Sequence, residues 1–181
     1  MKYLIASDIH GCASSVKRLI DIYETEKCER FIFLGDILYH GPRNSLPDEY
    51  DTFEVSRLLN MYAAKIYCVR GNCDAEVDQV MLEFPITSDY MQLPIEGKVF
   101  FATHGHHFGP DNLPPIGSAD YLLCGHTHIP ACNRIEDITY INPGSISIPK
   151  GGSQKSFMIL DGKKLQWRHL DDNQVYKEIE I

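Results

Sequence analysis

Short apolar runs alternate with amphipathic stretches in the first half of the chain, and each apolar run ends at a polar residue. Residues 2–6, 30–34 and 65–69 have the length and the apolar character of buried strands. Residues 13–26 and 52–63 separate these runs and carry apolar positions at the spacing of an amphipathic helix. This alternation predicts a β-α-β-α-β order with parallel strands and right-handed crossovers.

The second half of the chain has a different pattern, with strand-like runs that are separated by turns and no long helical stretch. These runs are residues 98–103, 120–124, 138–142, 156–160, 164–169 and 174–179. We therefore predict an α/β fold in which a second, largely antiparallel sheet packs on the first. The length of 181 residues and the apolar content of 44% predict one domain over residues 1–181.

Charge and composition restrict the partners of the protein. The formal net charge of −8 disfavours a broad surface for long nucleic acid. No apolar stretch approaches the roughly 20 residues that span a bilayer, and the four apolar residues before Asp8 are too few for a secretory signal. We therefore expect a cytoplasmic protein without a membrane partner. The six cysteines form no CxxC pair, which predicts reduced thiols.

Polar residues follow five of the predicted strands at the point where each strand ends. They are, in chain order, Asp8 and His10, Asp36, Asn72, His104, and His126 and His128. A single Asp or His after a strand is most often a cap or a satisfied polar residue. Five such clusters are better explained by convergence, because sites in α/β sheets gather at the carboxyl ends of strands.

The converging side chains are oxygen and imidazole donors, and seven of them exceed what one divalent ion needs. A typical ion takes about four to six protein or water ligands. The surplus predicts two ions that share a bridging carboxylate, which is the arrangement of two-metal phosphoryl-transfer sites. Glycines before Asp36, Asn72 and His126 fit sharp turns that bring the backbone close to an ion.

The motifs together resemble the calcineurin-like metallophosphoesterase superfamily, over residues 3 to about 152. They are Asp8-Ile9-His10, Gly35-Asp36, Gly71-Asn72, His104-Gly105 and Gly125-His126-Thr127-His128, with the longer stretches HGPRN (40–44), RGNCD (70–74), THGHHFGP (103–110) and NPGSISIPKGG (142–152). The longer stretches resemble the small bacterial phosphodiesterases of this superfamily. The resemblance implies a two-sheet β-sandwich flanked by helices in four αββα layers.

The resemblance also implies the roles of the site residues. Asp8, His10 and His128 would bind the first metal ion, Asn72, His104 and His126 would bind the second, and Asp36 would bridge. Asp36, Asn72 and His104 would therefore also act in catalysis. Manganese is the expected metal, because related enzymes commonly use it, although Fe, Co, Ni and Zn suit the same donors.

Three further residues have open roles. Cys73 stands where many family members have a histidine that is thought to assist the leaving group, so it either acts in catalysis or only fills space. Arg43 either clamps phosphate oxygens or is an ordinary surface arginine. His106 either contacts the substrate or orients a ligand, and a solvated loop position is the alternative.

The expected activity is hydrolysis of small phosphodiesters by attack of a metal-activated hydroxide at a dinuclear site. A phosphomonoesterase is the alternative within the same class. A non-catalytic scaffold, like the metallophosphoesterase-fold subunit of the retromer complex, is the alternative from another class. The complete set of seven donors favours an enzyme. A homo-oligomer is compatible with the sequence.

Overall fold

Two β-sheets pack face to face in the computed structural model, which describes residues 1–115 and 119–181. The first sheet has, in spatial order, β11 (Val175–Glu180), β10 (Lys164–His169), β9 (Ser156–Asp161), β1 (Lys2–Ala6), β2 (Arg30–Phe33) and β3 (Ile66–Cys68). The second has β4 (Tyr90–Ile95), β5 (Lys98–Thr103), β6 (Tyr121–Leu123), β8 (Ile138–Asn142) and β7 (Ala131–Ile135). The α-helices are α1 (Ala13–Thr25), α2 (Thr52–Asn60) and the short α3 (Asp78–Met81).

Both sheets are mixed. β1, β2 and β3 are parallel, as predicted, and β9 continues that sheet antiparallel to β1. The prediction of a largely antiparallel second sheet is wrong, because β5, β6 and β8 run parallel to one another and only the outer strands are antiparallel. Long connections that contain no helix among their described residues supply the parallel crossovers, and the last three strands join the first sheet instead.

The central strands are buried on both faces, which explains their continuous apolar sequences. In β1, Leu4 packs with the residues of α1 and α2, whereas Ile5 points to the second sheet. In β2, Phe31 likewise packs with the helices, and Ile32 points to the second sheet. The α/β class with two packed sheets is therefore confirmed, with one core between the sheets and another between the first sheet and its helices.

The outer face of the second sheet differs from the implied four-layer arrangement. Phe101 and Leu122 on this face pack against Phe108 and Leu113, which belong to the connection between β5 and β6. Over the described residues this connection forms turns and no helix. Loop side chains thus bury the face that a fourth, helical layer would otherwise cover.

Strands β4 and β7 are absent from the sequence-based prediction, and both lie at the edges of the second sheet. Edge strands are half exposed, so their residues lack the apolar run that marks a central strand. β4 also contains Pro94, which an edge strand tolerates because its missing N–H faces away from the ladder. No helix among the described residues is long and apolar enough to cross a membrane. All six cysteines are free, as predicted.

Glu26 should contribute a pH-dependent part of the stability. Burial alone would raise the pKa of its carboxyl, but hydrogen bonds from Asn173, Arg168 and Lys2 outweigh burial and lower that pKa to about 2. A lowered folded-state pKa stabilises the fold above the unfolded value of 4.5, and this stabilisation is lost as the pH falls towards 2. We expect Glu26→Gln to lower the free energy of unfolding by about 2 kcal/mol at pH 7.

Urea denaturation at pH 7 and pH 3 measures this effect. The difference between the parent protein and Glu26→Gln should shrink by more than half at pH 3. A difference that is the same at both pH values would show that the charge of Glu26 does not stabilise the fold.

Candidate metal centre

The seven predicted donors all lie directly beyond the carboxyl ends of strands. Asp8 and His10 follow β1, Asp36 follows β2 and Asn72 follows β3. His104 follows β5, whereas His126 and His128 follow β6. Since the two sheets face each other, these ends form one cluster at one edge of the sandwich.

Five of the seven residues have a left-handed backbone, which L-residues other than glycine rarely adopt. The φ angles are 55° at Asp8, 48° at His10, 55° at Asp36, 65° at His126 and 60° at His128. Each such residue costs about 1 kcal/mol or more, and such strain concentrates at functional sites. The surrounding contacts therefore hold these side chains in an orientation that the chain would not otherwise prefer.

The first group of donors consists of Asp8, His10 and His128. His10 Nε2 lies 3.3 Å from His128 Nε2 and 3.8 Å from Asp8 Oδ1, and the distance from His128 Nε2 to Asp8 Oδ1 is 3.4 Å. Ligands of one ion with bond lengths of about 2.1 Å lie about 3.0–3.4 Å apart in octahedral or tetrahedral geometry. The observed separations are close to this range, so the three atoms could hold one ion.

The second group consists of Asn72, His104 and His126. His104 Nε2 lies 3.0 Å from Asn72 Oδ1 and 3.3 Å from His126 Nδ1. Asp36 Oδ2 lies 3.4 Å from His104 Nε2 and also 3.7 Å from His10 Nε2 of the first group. A carboxylate oxygen is therefore placed between the two groups.

Backbone carbonyls orient the rings of three histidines. The Nδ1 atom of His10 lies 2.7 Å from the carbonyl oxygen of Tyr39, and that of His104 lies 2.6 Å from that of Leu34. His128 Nδ1 makes the same contact with Ile148, at 2.6 Å. A carbonyl oxygen only accepts, so Nδ1 donates in each ring and Nε2 is the nitrogen that faces the other donors. Metal-binding histidines are commonly oriented in this way.

The donor set fits divalent cations. The Nε2 atoms of His10, His104 and His128 lie 3.3–3.8 Å from one another or from two buried carboxylates, and imidazole nitrogens and carboxylate oxygens are donors that first-row divalent ions take. Asp8 Oδ1 is buried and has no hydrogen-bond partner. A buried carboxylate oxygen without a partner is costly, and a bound cation would remove that cost.

Burial and the contact between His104 and Asp36 shift the pKa values of the donors. Burial lowers the pKa of His126 and of His128, so both are neutral at pH 7. Burial also disfavours a charged His104, but its contact with Asp36 overrides burial and raises the pKa of His104 to about 9. Burial would raise the pKa of Asp36, yet His104 keeps it well below its usual range. Asp36 is thus anionic and holds positive charge beside it.

Asp74 links the turn after β2 to the turn after β3 through hydrogen bonds. Its buried carboxylate accepts the backbone N–H groups of Asp36, Ile37 and Gly71 at 2.7–2.8 Å. The backbone N–H of Cys73 in turn donates to Asp36 Oδ1 at 2.8 Å, which leaves Oδ2 towards the histidines. Asp74 therefore holds Asp36 and the turn that precedes Asn72 in a fixed relative position.

An open cleft of about 430 Å³ gives solvent access to the donors. Its lining includes Asp36, Asn72, Cys73, Arg43 and Lys150. The exposed Arg43 therefore lies where it could contact an anionic substrate, and Cys73 is half-buried at the same wall. Lys150 adds a second positive charge to the cleft. The sequence alone did not identify it as a site residue.

His106 lies beside the donors but not among them. Its ring centre is 5.3 Å from that of His104 and 6.2 Å from that of His126. Burial lowers its pKa to about 4, and its buried Nδ1 has no hydrogen-bond partner. The residue is thus neutral at pH 7 and is not part of the cleft lining given above.

Two serines that sequence reasoning missed support the first group. The hydroxyls of Ser145 and Ser147 both donate to the backbone carbonyl of Asp8, each at 2.8 Å. These two hydrogen bonds hold the start of the 142–152 stretch against the site. Only the resemblance of the 142–152 stretch signalled this position in advance.

The comparisons agree with this geometry. Residues 1–164 match the family model of the calcineurin-like phosphoesterase superfamily domain, so the chain belongs to this family. It is therefore a phosphoester hydrolase of a family that uses divalent metal ions. The chain is 44% identical to phosphodiesterase YfcE of Escherichia coli K12, over 100% of this chain and 98% of that protein.

Two solved structures and a second relative extend the comparison. The structure of the E. coli phosphoesterase YfcE superimposes with a TM-score of 0.95 over the full length of both chains. Phosphodiesterase MJ0936 of Methanocaldococcus jannaschii is 28% identical over 94% of this chain and 98% of its own. The vacuolar protein sorting 29 structure from Cryptosporidium parvum has a TM-score of 0.66 at 18% identity, with 99% and 98% coverage, and it shares the fold alone.

Proposed function

We propose that the protein hydrolyses small phosphodiesters at a centre of two divalent ions that Asp36 bridges. The observation that carries this proposal is the position of Asp36 Oδ2, 3.7 Å from His10 Nε2 and 3.4 Å from His104 Nε2. The full-length identity of 44% to a protein named phosphodiesterase supports the diester as substrate. The complete donor set favours an enzyme over a scaffold of the same fold.

The two groups of donors define which residues would hold each ion. Asp8, His10 and His128 would hold the first, and Asn72, His104 and His126 would hold the second. Imidazole and carboxylate ligands suit several first-row metals, among which availability decides. We favour Mn²⁺.

The residues around the centre would position the substrate and the attacking water. When bound, the two ions would hold phosphoryl oxygens and lower the pKa of a water for attack on phosphorus in line with the leaving oxygen. Arg43 at the cleft would contact non-bridging oxygens of the substrate. The carbonyl contacts of His10, His104 and His128 would keep their Nε2 atoms directed at the centre throughout the reaction.

Hydrolysis of bis-p-nitrophenyl phosphate by metal-stripped protein, with and without added Mn²⁺, tests this proposal. We expect turnover that depends on the ion and exceeds the turnover of p-nitrophenyl phosphate under the same conditions. Faster hydrolysis of the monoester would favour a phosphomonoesterase. Absence of turnover with Mn, Fe, Co, Ni or Zn, in protein that binds metal, would favour the scaffold.

Cys73 should limit hydrolysis of esters with poor leaving groups. A thiol is a weak hydrogen-bond donor, whereas an imidazolium at the same wall of the cleft would donate a proton to a departing alkoxide. We expect Cys73→His to raise kcat for an alkyl phosphodiester by about tenfold or more, because general acids typically contribute about 10²-fold or more when well placed.

The measurement compares an alkyl diester with bis-p-nitrophenyl phosphate, whose leaving group needs no proton. Cys73→Ser serves as the size-matched control. Unchanged or lower activity of Cys73→His on several alkyl diesters would contradict the role assigned to this position.

A further inference from the structure

Three clefts meet at Cys73. One is the cleft over the metal donors, and a second, of about 720 Å³, contains Arg43 and Arg70. The third, of about 380 Å³, leads away from the donors towards the start of α2 and α3. We call it the apolar groove. Cys73 contributes to the lining of all three, so the groove adjoins the proposed reaction site.

The apolar groove is lined mainly by aromatic and aliphatic side chains. Its principal walls are formed by Tyr39, Tyr50, Phe53, Ala75, Val77 and Met81. Among the described residues, Asp78 is the one charged residue that lines the groove, and its carboxylate already accepts the backbone N–H of Ala75 at 2.8 Å. Phe53 is 75% exposed and Val77 is 68% exposed. Grouped exposed apolar side chains beside a reaction site commonly contact a ligand.

We propose that the apolar groove binds an aromatic or apolar ester arm of the substrate. The substrate class is then a phosphodiester with at least one such arm. This inference rests on the proposed function. A diester has two substituents on phosphorus, so one arm can extend past Cys73 while the phosphoryl group stays at the metal centre.

The distribution of charge around Cys73 supports this arrangement. Arg43 and Lys150 line the cleft over the donors, where the anionic phosphoryl group would lie. The apolar groove contains neither of them. A volume of 380 Å³ is within the range of about 300–1,000 Å³ that small-molecule sites occupy. The aromatic rings of Tyr39 and Phe53 offer flat apolar surfaces for a ring.

Calorimetric titration of Mn²⁺-loaded protein with phenylphosphonate and methylphosphonate tests the inference without relying on turnover. Both ligands carry the same charged group and differ only in the arm. We expect phenylphosphonate to bind about tenfold more tightly, because the groove removes the ring from water. The double variant Phe53→Ala/Val77→Ser should reduce this ratio to about threefold or less without changing the affinity for methylphosphonate.

Val80→Ser is the matched control. Val80 belongs to the same short segment as Val77 and is 84% exposed, but it does not line the groove. This variant should keep the tenfold ratio. A ratio near one in the parent protein would overturn the inference, as would a ratio that survives the double variant. If Phe53→Ala/Val77→Ser and Val80→Ser reduce the affinity ratio equally and also change the oligomeric state, the apolar groove would instead be a contact surface for a second copy of the chain.

The outcomes separate this inference from the proposed function. Selective binding of phenylphosphonate with no hydrolysis of any diester would contradict the hydrolase proposal and leave the groove assigned. Hydrolysis of diesters with equal affinity for both phosphonates would retain the hydrolase and contradict the groove. No binding of either phosphonate to the metal-loaded protein would contradict the inference.

Discussion

Asp36→Asn is expected to lower kcat/KM for bis-p-nitrophenyl phosphate by about 10³-fold or more. Among the residues that the structure describes, Asp36 is the one carboxylate that lies within 4 Å of a histidine from each donor group. Asparagine has nearly the same shape, but it removes the negative charge and replaces one oxygen by a donor. The variant therefore tests the charge between the two donor groups with little change in packing.

Asp137→Asn is the control for this substitution, because Asp137 is fully exposed in the turn between β7 and β8. It should keep the parent activity. Thermal unfolding of metal-free Asp36→Asn should show that the fold is retained. If metal-loaded Asp36→Asn keeps a tenth or more of the parent kcat/KM, the bridging role is contradicted.

Gly71→Ala is expected to lower both the stability and the activity of the protein. A Cβ atom at this position would overlap Asp36 Oδ1 and the backbone nitrogen of Asp36. The backbone cannot shift freely, because the N–H of Gly71 donates to the buried Asp74. We expect a loss of about 3 kcal/mol in the free energy of unfolding, and a fall of about 10²-fold in kcat as Asp36 is displaced.

Gly97→Ala provides the comparison for this prediction. No atom lies within 4 Å of a Cβ at Gly97, although its φ of +79° makes alanine strained there. Urea denaturation should show a loss of about 1 kcal/mol for this variant, with unchanged activity. An equal loss of stability in the two variants would show that close approach at Gly71 is unimportant.

The donors of the site were predictable because strand ends converge. Each of the seven follows an apolar run in the sequence, and parallel strands bring such positions to one edge of the sheet. The central strands were predictable for a related reason, since burial on both faces requires continuous apolar residues. The resemblance then placed the donors in two groups of three, with Asp36 between them. That assignment of roles remains a prediction, as does a single domain over residues 1–181.

The supporting contacts could not be read from the sequence. The histidines are oriented by the carbonyl oxygens of Tyr39, Leu34 and Ile148. Every residue has a backbone carbonyl, so the residue type does not reveal which carbonyl makes such a contact. The left-handed conformation of Asp8 or His126 is equally hidden, because non-glycine residues rarely adopt it. Strands β4 and β7 were missed because an edge position requires little apolar sequence.

The number and coupling of bound Mn²⁺ ions test the central claim most directly. Equilibrium dialysis followed by metal analysis gives the number of ions for each chain, and electron paramagnetic resonance reports whether they are magnetically coupled. The proposed centre predicts two ions with an exchange-coupled spectrum that Asp36→Asn abolishes. One ion for each chain, or two ions without coupling in the parent protein, would contradict a centre bridged by Asp36.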